Sequence, residues 1–160
     1  MKQNIVATSL LVFSSLGLGA CGGAEAPVEE AAEAGIPGLS ITEGKLVLNA
    51  VQGNPAAVYF KLDYEGDRGL SLRKADVEGA ESAMLHEYAE NQGRREMMEA
   101  LPIVLRKGTK LSFEPGEKHI MVMGLSPDLA AGGTTNVTLT VSGGGTQTFP
   151  VDIVAAGDDR

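Results

Sequence analysis

The sequence predicts an all-β domain, an antiparallel sandwich or barrel, and three observations lead there. Short runs rich in Val, Leu, Ile, Thr, Tyr and Phe recur between clusters of Gly, Pro, Asn and Asp. Within the clearest run, Val137, Leu139 and Val141 alternate with threonines, so one face is set for burial and the other for water. No segment carries a long 3.6-residue apolar period, although residues 90–101 could hold one helical turn.

In chain order the predicted strands cover residues 45–51, 57–62, 70–73, 82–88, 103–105, 110–113, 119–123, 136–141 and 146–153. Eight or nine short strands at this spacing suit a sandwich or a barrel. Gly143-Gly144-Gly145 lies between the last two and forms a hairpin loop that tolerates positive φ. Pro150 has no N–H to donate, which places the last run at a sheet edge or at a bulge.

The first twenty residues read as an address. Lys2 precedes an apolar or small-residue stretch over 5–18, shorter than the ~20 residues a membrane-spanning helix needs. The stretch ends in Leu18-Gly19-Ala20-Cys21. Small residues before a cysteine resemble a bacterial lipobox, in which Cys21 becomes the first mature residue and carries a lipid on its sulfur. Residues 21–38 are Ala, Glu, Gly and Pro with little apolar bulk, and are expected to form a flexible tether. The folded domain is then 39–156, with a short tail over 157–160. Gly22 follows Cys21 in place of the Asp that retains many lipoproteins at the inner membrane, which favours the outer membrane.

Cys21 is the only cysteine among 160 residues. No internal disulfide is possible, and blue-copper centres, iron–sulfur clusters and most structural zinc sites lose their ligand. The net charge of −8 argues against nucleic acid as a partner.

The chemistry lies in the placement of His and Met. Beyond Met1, the methionines are Met84, Met97, Met98, Met121 and Met123, and the two histidines are His86 and His119. All seven fall within forty residues. Along the run from His119, alternation puts His119, Met121 and Met123 on one face and Ile120 and Val122 on the other. Met84 and His86 repeat the same i, i+2 pattern. A lone methionine is ordinarily core filler. Thioethers and imidazoles sharing a strand face form a soft, neutral donor set, which suits Cu(I) and suits Mg(II), Ca(II) or Mn(II) poorly.

At these residues the chain resembles the PCu(A)C family of periplasmic copper chaperones, whose signature is His, ten residues, Met, twenty-one residues, then His-x-Met. His86, Met97, His119 and Met121 match all four positions at that spacing. The Ala56-Ala57-Val58-Tyr59 run and the Pro115-Gly116 pair are also similar, and the likeness covers about residues 45–154. Departures are Arg94-Arg95-Glu96 before Met97, Met98-Glu99 after it, and the absence of tryptophan.

The resemblance implies a cupredoxin-like Greek-key β fold with His86, Met97, His119 and Met121 as Cu(I) ligands. It further implies delivery of copper toward the CuA centre of cytochrome c oxidase, either to the apo-subunit or through another copper chaperone. The competing reading is a copper-buffering or resistance lipoprotein with no dedicated target. An enzyme is not expected: Glu87 or Glu90 could orient His86 as a base, but no activated serine, cysteine nucleophile or phosphate-cradling loop is present. A plain adhesion sandwich would leave the His/Met cluster unexplained.

Overall fold

The computed structural model describes residues 35–100 and 102–157. The signal segment, Cys21 and most of the expected tether and tail lie outside the described residues. Ten strands account for most of the domain: β1 (Leu39–Val47), β2 (Ala56–Tyr64), β3 (Leu70–Val77), β4 (Ala80–Asn91), β5 (Arg94–Glu99), β6 (Ile103–Leu105), β7 (Thr109–Phe113), β8 (His119–Leu125), β9 (Thr134–Val141) and β10 (Thr146–Val154). Among the described residues there is no helix long and apolar enough to cross a membrane.

The alternation read from the sequence is the alternation that folds. In β9, Thr135, Val137, Leu139 and Val141 are buried while their neighbours are wetter. In β2, Ala56, Val58, Phe60, Leu62 and Tyr64 are buried. These inward faces meet in one core, where Phe60 stacks on Phe113 with ring centroids 4.2 Å apart. Apolar burial of this kind must hold the domain together, since no disulfide can form within a chain having a single cysteine.

The hydrogen-bonded order is β5-β4-β8-β2-β1-β10-β9-β3-β6, with β7 also pairing β2. β3 and β4 are far apart in that order yet pack against each other, so the sheet wraps around its core. Every pairing is antiparallel except β1 with β10, which is parallel.

Four expectations are refined. At the end of the expected tether, 21–38, Ile36 is buried and its N–H donates to Gln147 Oε1 at 3.0 Å. β1 begins at Leu39 and stops at Val47, earlier at both ends than the run over 45–51. The described part of residues 90–101, up to Ala100, holds no helical turn: β4 reverses through Gln92 and Gly93 into β5. Both residues have positive φ, 52° and 76°, the two-residue hairpin geometry that matches strand twist.

Pro150 is the fourth. Its strand lies in the interior of the order, between β1 and β9. Pro150 is tolerated because the ladder with β1 starts only at Asp152. Beside it β1 carries a one-residue bulge between Thr42 and Lys45, with Glu43 at φ 57°. Gly44 sits in that bulge, where a Cβ would fall 2.8 Å from Val151 Cγ1. The irregularity is therefore in the neighbouring strand.

Candidate metal centre

Three adjacent strands, β5, β4 and β8, bring the four sequence-predicted ligands to one face. On β4, Met84, His86 and Tyr88 project to the same side. Antiparallel register then sets His119 of β8 opposite His86 and Met121 opposite Met84. On the other flank β5 sets Met97 opposite Tyr88 and Glu99 opposite His86. Directly opposed residues have Cβ atoms about 4.5–5.5 Å apart, close enough for flexible side chains to meet one ion. Leu85, Ile120 and Val122 occupy the reverse face and fill the core, which is what turns the donors outward.

The two imidazoles are neighbours, with ring centroids 5.8 Å apart at an interplanar angle of 75°. His119 is only 7% exposed and lies beside Tyr88 and Tyr59, at 5.9 and 6.4 Å between ring centroids. Its Nδ1 is 3.1 Å from the carbonyl oxygen of Glu117. A carbonyl can only accept, so Nδ1 carries the proton and Nε2 presents its lone pair.

His86 differs. Its Nδ1 is buried and, among the described residues, stands out as a side-chain polar atom with no hydrogen-bond partner. Such an atom costs about 1–3 kcal/mol if left unsatisfied, and a ligated soft cation would satisfy it. Burial lowers the pKa of His86 from its ordinary value, the neighbouring His119 lowers it further, and Glu99 opposes both. The shift favours the neutral imidazole that a metal requires.

Among the described residues no group of three or more His, Cys, Asp and Glu converges, whereas the thioethers of Met84, Met97 and Met121 share the face of the imidazole pair. Met121 is half-buried and Met97 is 45% exposed. Met98, opposite Glu87, points to the other face from Met97, as an extended segment requires.

Arg95 straps the open end of this face. Its Nη2 donates to Glu117 Oε1 at 2.8 Å and to the Gly116 carbonyl, while the guanidinium lies over the Tyr88 ring at 5.4 Å. The strap joins the β4–β5 hairpin to the same turn whose carbonyl holds His119.

Sequence reasoning did not single out Tyr88, Glu99 or Arg95 for these roles. The signal was available as parity: Tyr88 is i+2 from His86, and Glu99 and Arg95 are i±2 from Met97. Glu87 does not orient His86. It lies on the opposite face and pairs with Lys118 Nζ at 2.6 Å. Glu90 sits four residues beyond His86, opposite Arg95.

Comparison with known proteins follows the same lines. Residues 39–153 match a family described as "Putative lipoprotein LpqE-like". A "Putative lipoprotein Lxx21020" of Leifsonia xyli subsp. xyli (strain CTCB07) is 38% identical over 80 residues, which are 49% of this chain and 48% of that relative. The match thus spans about half the length of that relative.

Among solved structures, the apo PCuAC domain from PmoF1 superposes with a TM-score of 0.61 at 24% identity, covering 74% of this chain and 94% of that one. The copper-bound PCuAC domain from PmoF2 gives 0.58 at 19% identity over 74% and 93% of the two chains. The CuI-DR1885 solution structure from Deinococcus radiodurans gives 0.58 at 24% identity over 83% and 89%. The fold is therefore the cupredoxin-like β fold of PCuAC domains.

Proposed function

The chain belongs to the LpqE-like family, and from that premise we propose that it is a Cu(I)-binding metallochaperone of the cell envelope. The observation that carries the reading is the cross-strand pairing of His86 with His119, with the buried, unpartnered Nδ1 of His86 at its centre. His86, Met97, His119 and Met121 would supply two nitrogens and two sulfurs to one ion. Two of the similar structures carry copper in their names, one of them as Cu(I), which supports the choice of metal.

A chaperone must release its cargo. Met97 is nearly half exposed, so an incoming cysteine or histidine of a partner can displace its thioether while the imidazoles still hold the ion. The partner proposed is the apo-CuA subunit of cytochrome c oxidase, or a second copper chaperone that serves it. Lipid on Cys21 would tether the domain to the membrane facing the periplasm, a reading supported by the lipoprotein descriptions of the family and the relative. Gly22 is the sequence feature in favour of the outer membrane.

Anaerobic Cu(I) titration of the mature protein, with X-ray absorption to count neighbours, tests the site. One equivalent with a mixed nitrogen and sulfur shell is expected, and a shell of light atoms only would overturn it. A deletion strain tests the role. Copper-dependent loss of oxidase activity supports delivery, whereas copper sensitivity with normal oxidase would make the protein a buffer. Cys21→Ser should leave the chain unprocessed or mislocalised, read by membrane fractionation.

A further inference from the structure

Two methionines on the donor face, Met84 and Met123, are not used by the centre above. Met84 lies directly opposite Met121 in the β4–β8 register, and Met123 lies opposite Ser82, one diagonal step from Met84. Alternation puts all three thioethers on the side that carries His86 and His119. Packing does not require them there. The core is filled from the other face by Leu85, Ile120 and Val122, while Met84 and Met121 are half-buried and Met123 is 41% exposed. Methionine on a wetted sheet face, three times over and in register, has no core to fill.

We propose that Met84, Met121 and Met123 form a second, all-thioether station for Cu(I), with Met121 common to both stations. Opposed Cβ atoms lie about 4.5–5.5 Å apart and diagonal ones about 7–8 Å, spans that two flexible thioether arms close around one ion. Three neutral sulfurs suit a soft monovalent cation and offer little to a hard divalent one. Transfer between stations is ligand exchange. The Met121–copper bond persists, the sulfur lone pairs of Met84 and Met123 form new bonds as the two imidazole nitrogens and the Met97 sulfur leave, and copper keeps its oxidation state. The second station thus extends the donor face along β8 toward Gly124, away from the Arg95 strap. This inference rests on the donor face being a Cu(I) surface, as proposed above.

The test removes the first station and asks what remains. The mature protein with His86→Ala and His119→Ala is titrated anaerobically with Cu(I) against a competing chelator, with X-ray absorption on the bound fraction. Weaker binding of one equivalent with a sulfur-only shell is expected, and its loss when Met84→Leu and Met123→Leu are added. Absence of any binding by the folded double variant, or residual binding that survives the added leucines, would overturn the second station.

Should the double variant fail to fold, the wild-type protein carrying 13C-methyl methionine is titrated with Ag(I), a redox-inert soft cation. Met84 and Met123 methyl signals should shift along with that of Met121 as Ag(I) is added, and unmoved Met84 and Met123 signals would overturn the proposal. Wild-type protein that binds no Cu(I) at all would instead defeat the metallochaperone reading, so the two failures are distinct.

Discussion

β8 and β5 both contribute a methionine to the donor face, and they are built in opposite ways. β8 is hydrogen-bonded to β4 on one side and β2 on the other, and His119, Ile120 and Val122 along it are buried. β5 is the terminal strand of the order, paired with β4 alone, and all six of its residues are exposed. The centre therefore has a fixed half, His119 and Met121 on an interior strand, and an accessible half, Met97 on an edge. On the function proposed, holding and handing over an ion make opposing demands, and the two strands would divide them.

The largest expected effect falls on the fixed half. Met121→Leu nearly preserves volume, so the fold should lose less than about 1.5 kcal/mol. Cu(I) binding should nonetheless collapse, because a leucine offers no lone pair. Chelator competition together with a thermal melt separates the two readings. Retained affinity would remove Met121 from the shell, and with it the correspondence to the PCu(A)C signature.

Met97→Leu probes the accessible half. The side chain is nearly half exposed, so stability should move within about 0.5 kcal/mol. Binding should weaken strongly and the ion should exchange faster, measured by stopped-flow transfer to a chelator. Met98→Leu, on the opposite face, should be milder. Equal losses at positions 97, 98, 121 and 123 would erase the distinction between the strands.

The same contrast explains what was legible in the sequence. β8 and β9 announce themselves because burial on one face forces strict alternation, and His119, Met121 and Met123 are read directly from it. β5 has no buried face, so Arg94-Arg95-Glu96-Met97-Met98-Glu99 shows no period and could be taken for a helical turn. Its strand character comes from the positive-φ turn at Gln92-Gly93 and from pairing with β4, which are tertiary facts. The four candidate ligands were picked out by their spacing, whereas Tyr88, Glu99 and Arg95 needed the register. The position of β10 between β1 and β9 was also hidden, since a bulge in β1 is what tolerates Pro150.

Between the two strands, His86 on β4 should titrate in a way that sharpens the comparison. Its pKa lies below the ordinary 6.5, with burial the largest cause, His119 the second and Glu99 opposing. The folded protein therefore takes up this proton at lower pH than the unfolded chain does. Stability from this group is complete above about 6.5 and is lost as pH falls through the lowered value. NMR titration of the apo-protein should place the His86 midpoint below 6.5, and Glu99→Gln should push it lower still. A midpoint at or above 6.5 would show that the donor face is wetter than its geometry implies. Cu(I) affinity should also fall below about pH 6, since each imidazole must be neutral to ligate.

The smallest expected effect belongs to the strap that ties the accessible half to the fixed one. Arg95 and Glu117 are both more than half exposed, and exposed ion pairs contribute about 0–1 kcal/mol. The guanidinium over Tyr88 adds about 0.5–1 kcal/mol at such a site. Arg95→Ala should therefore lower the melting temperature only slightly. Its effect should concentrate where the strap acts, on the distance between β5 and the turn that holds His119. Loosening that contact weakens Cu(I) binding by about tenfold if ~1.4 kcal/mol of the combined ~0.5–2 kcal/mol is coupled to the ion, and by less if less is coupled. Arg95→Lys keeps the charge but loses the planar guanidinium that covers the Tyr88 ring while its Nη2 reaches Gly116 and Glu117, so it should fall between wild type and alanine. Raised salt should shrink the difference among the three, because the ion pair is screened. If Arg95→Ala weakens binding as much as Met97→Leu does, β5 is not an independently displaceable half. The site would then open as one hinged unit, and release would have to begin at the strap.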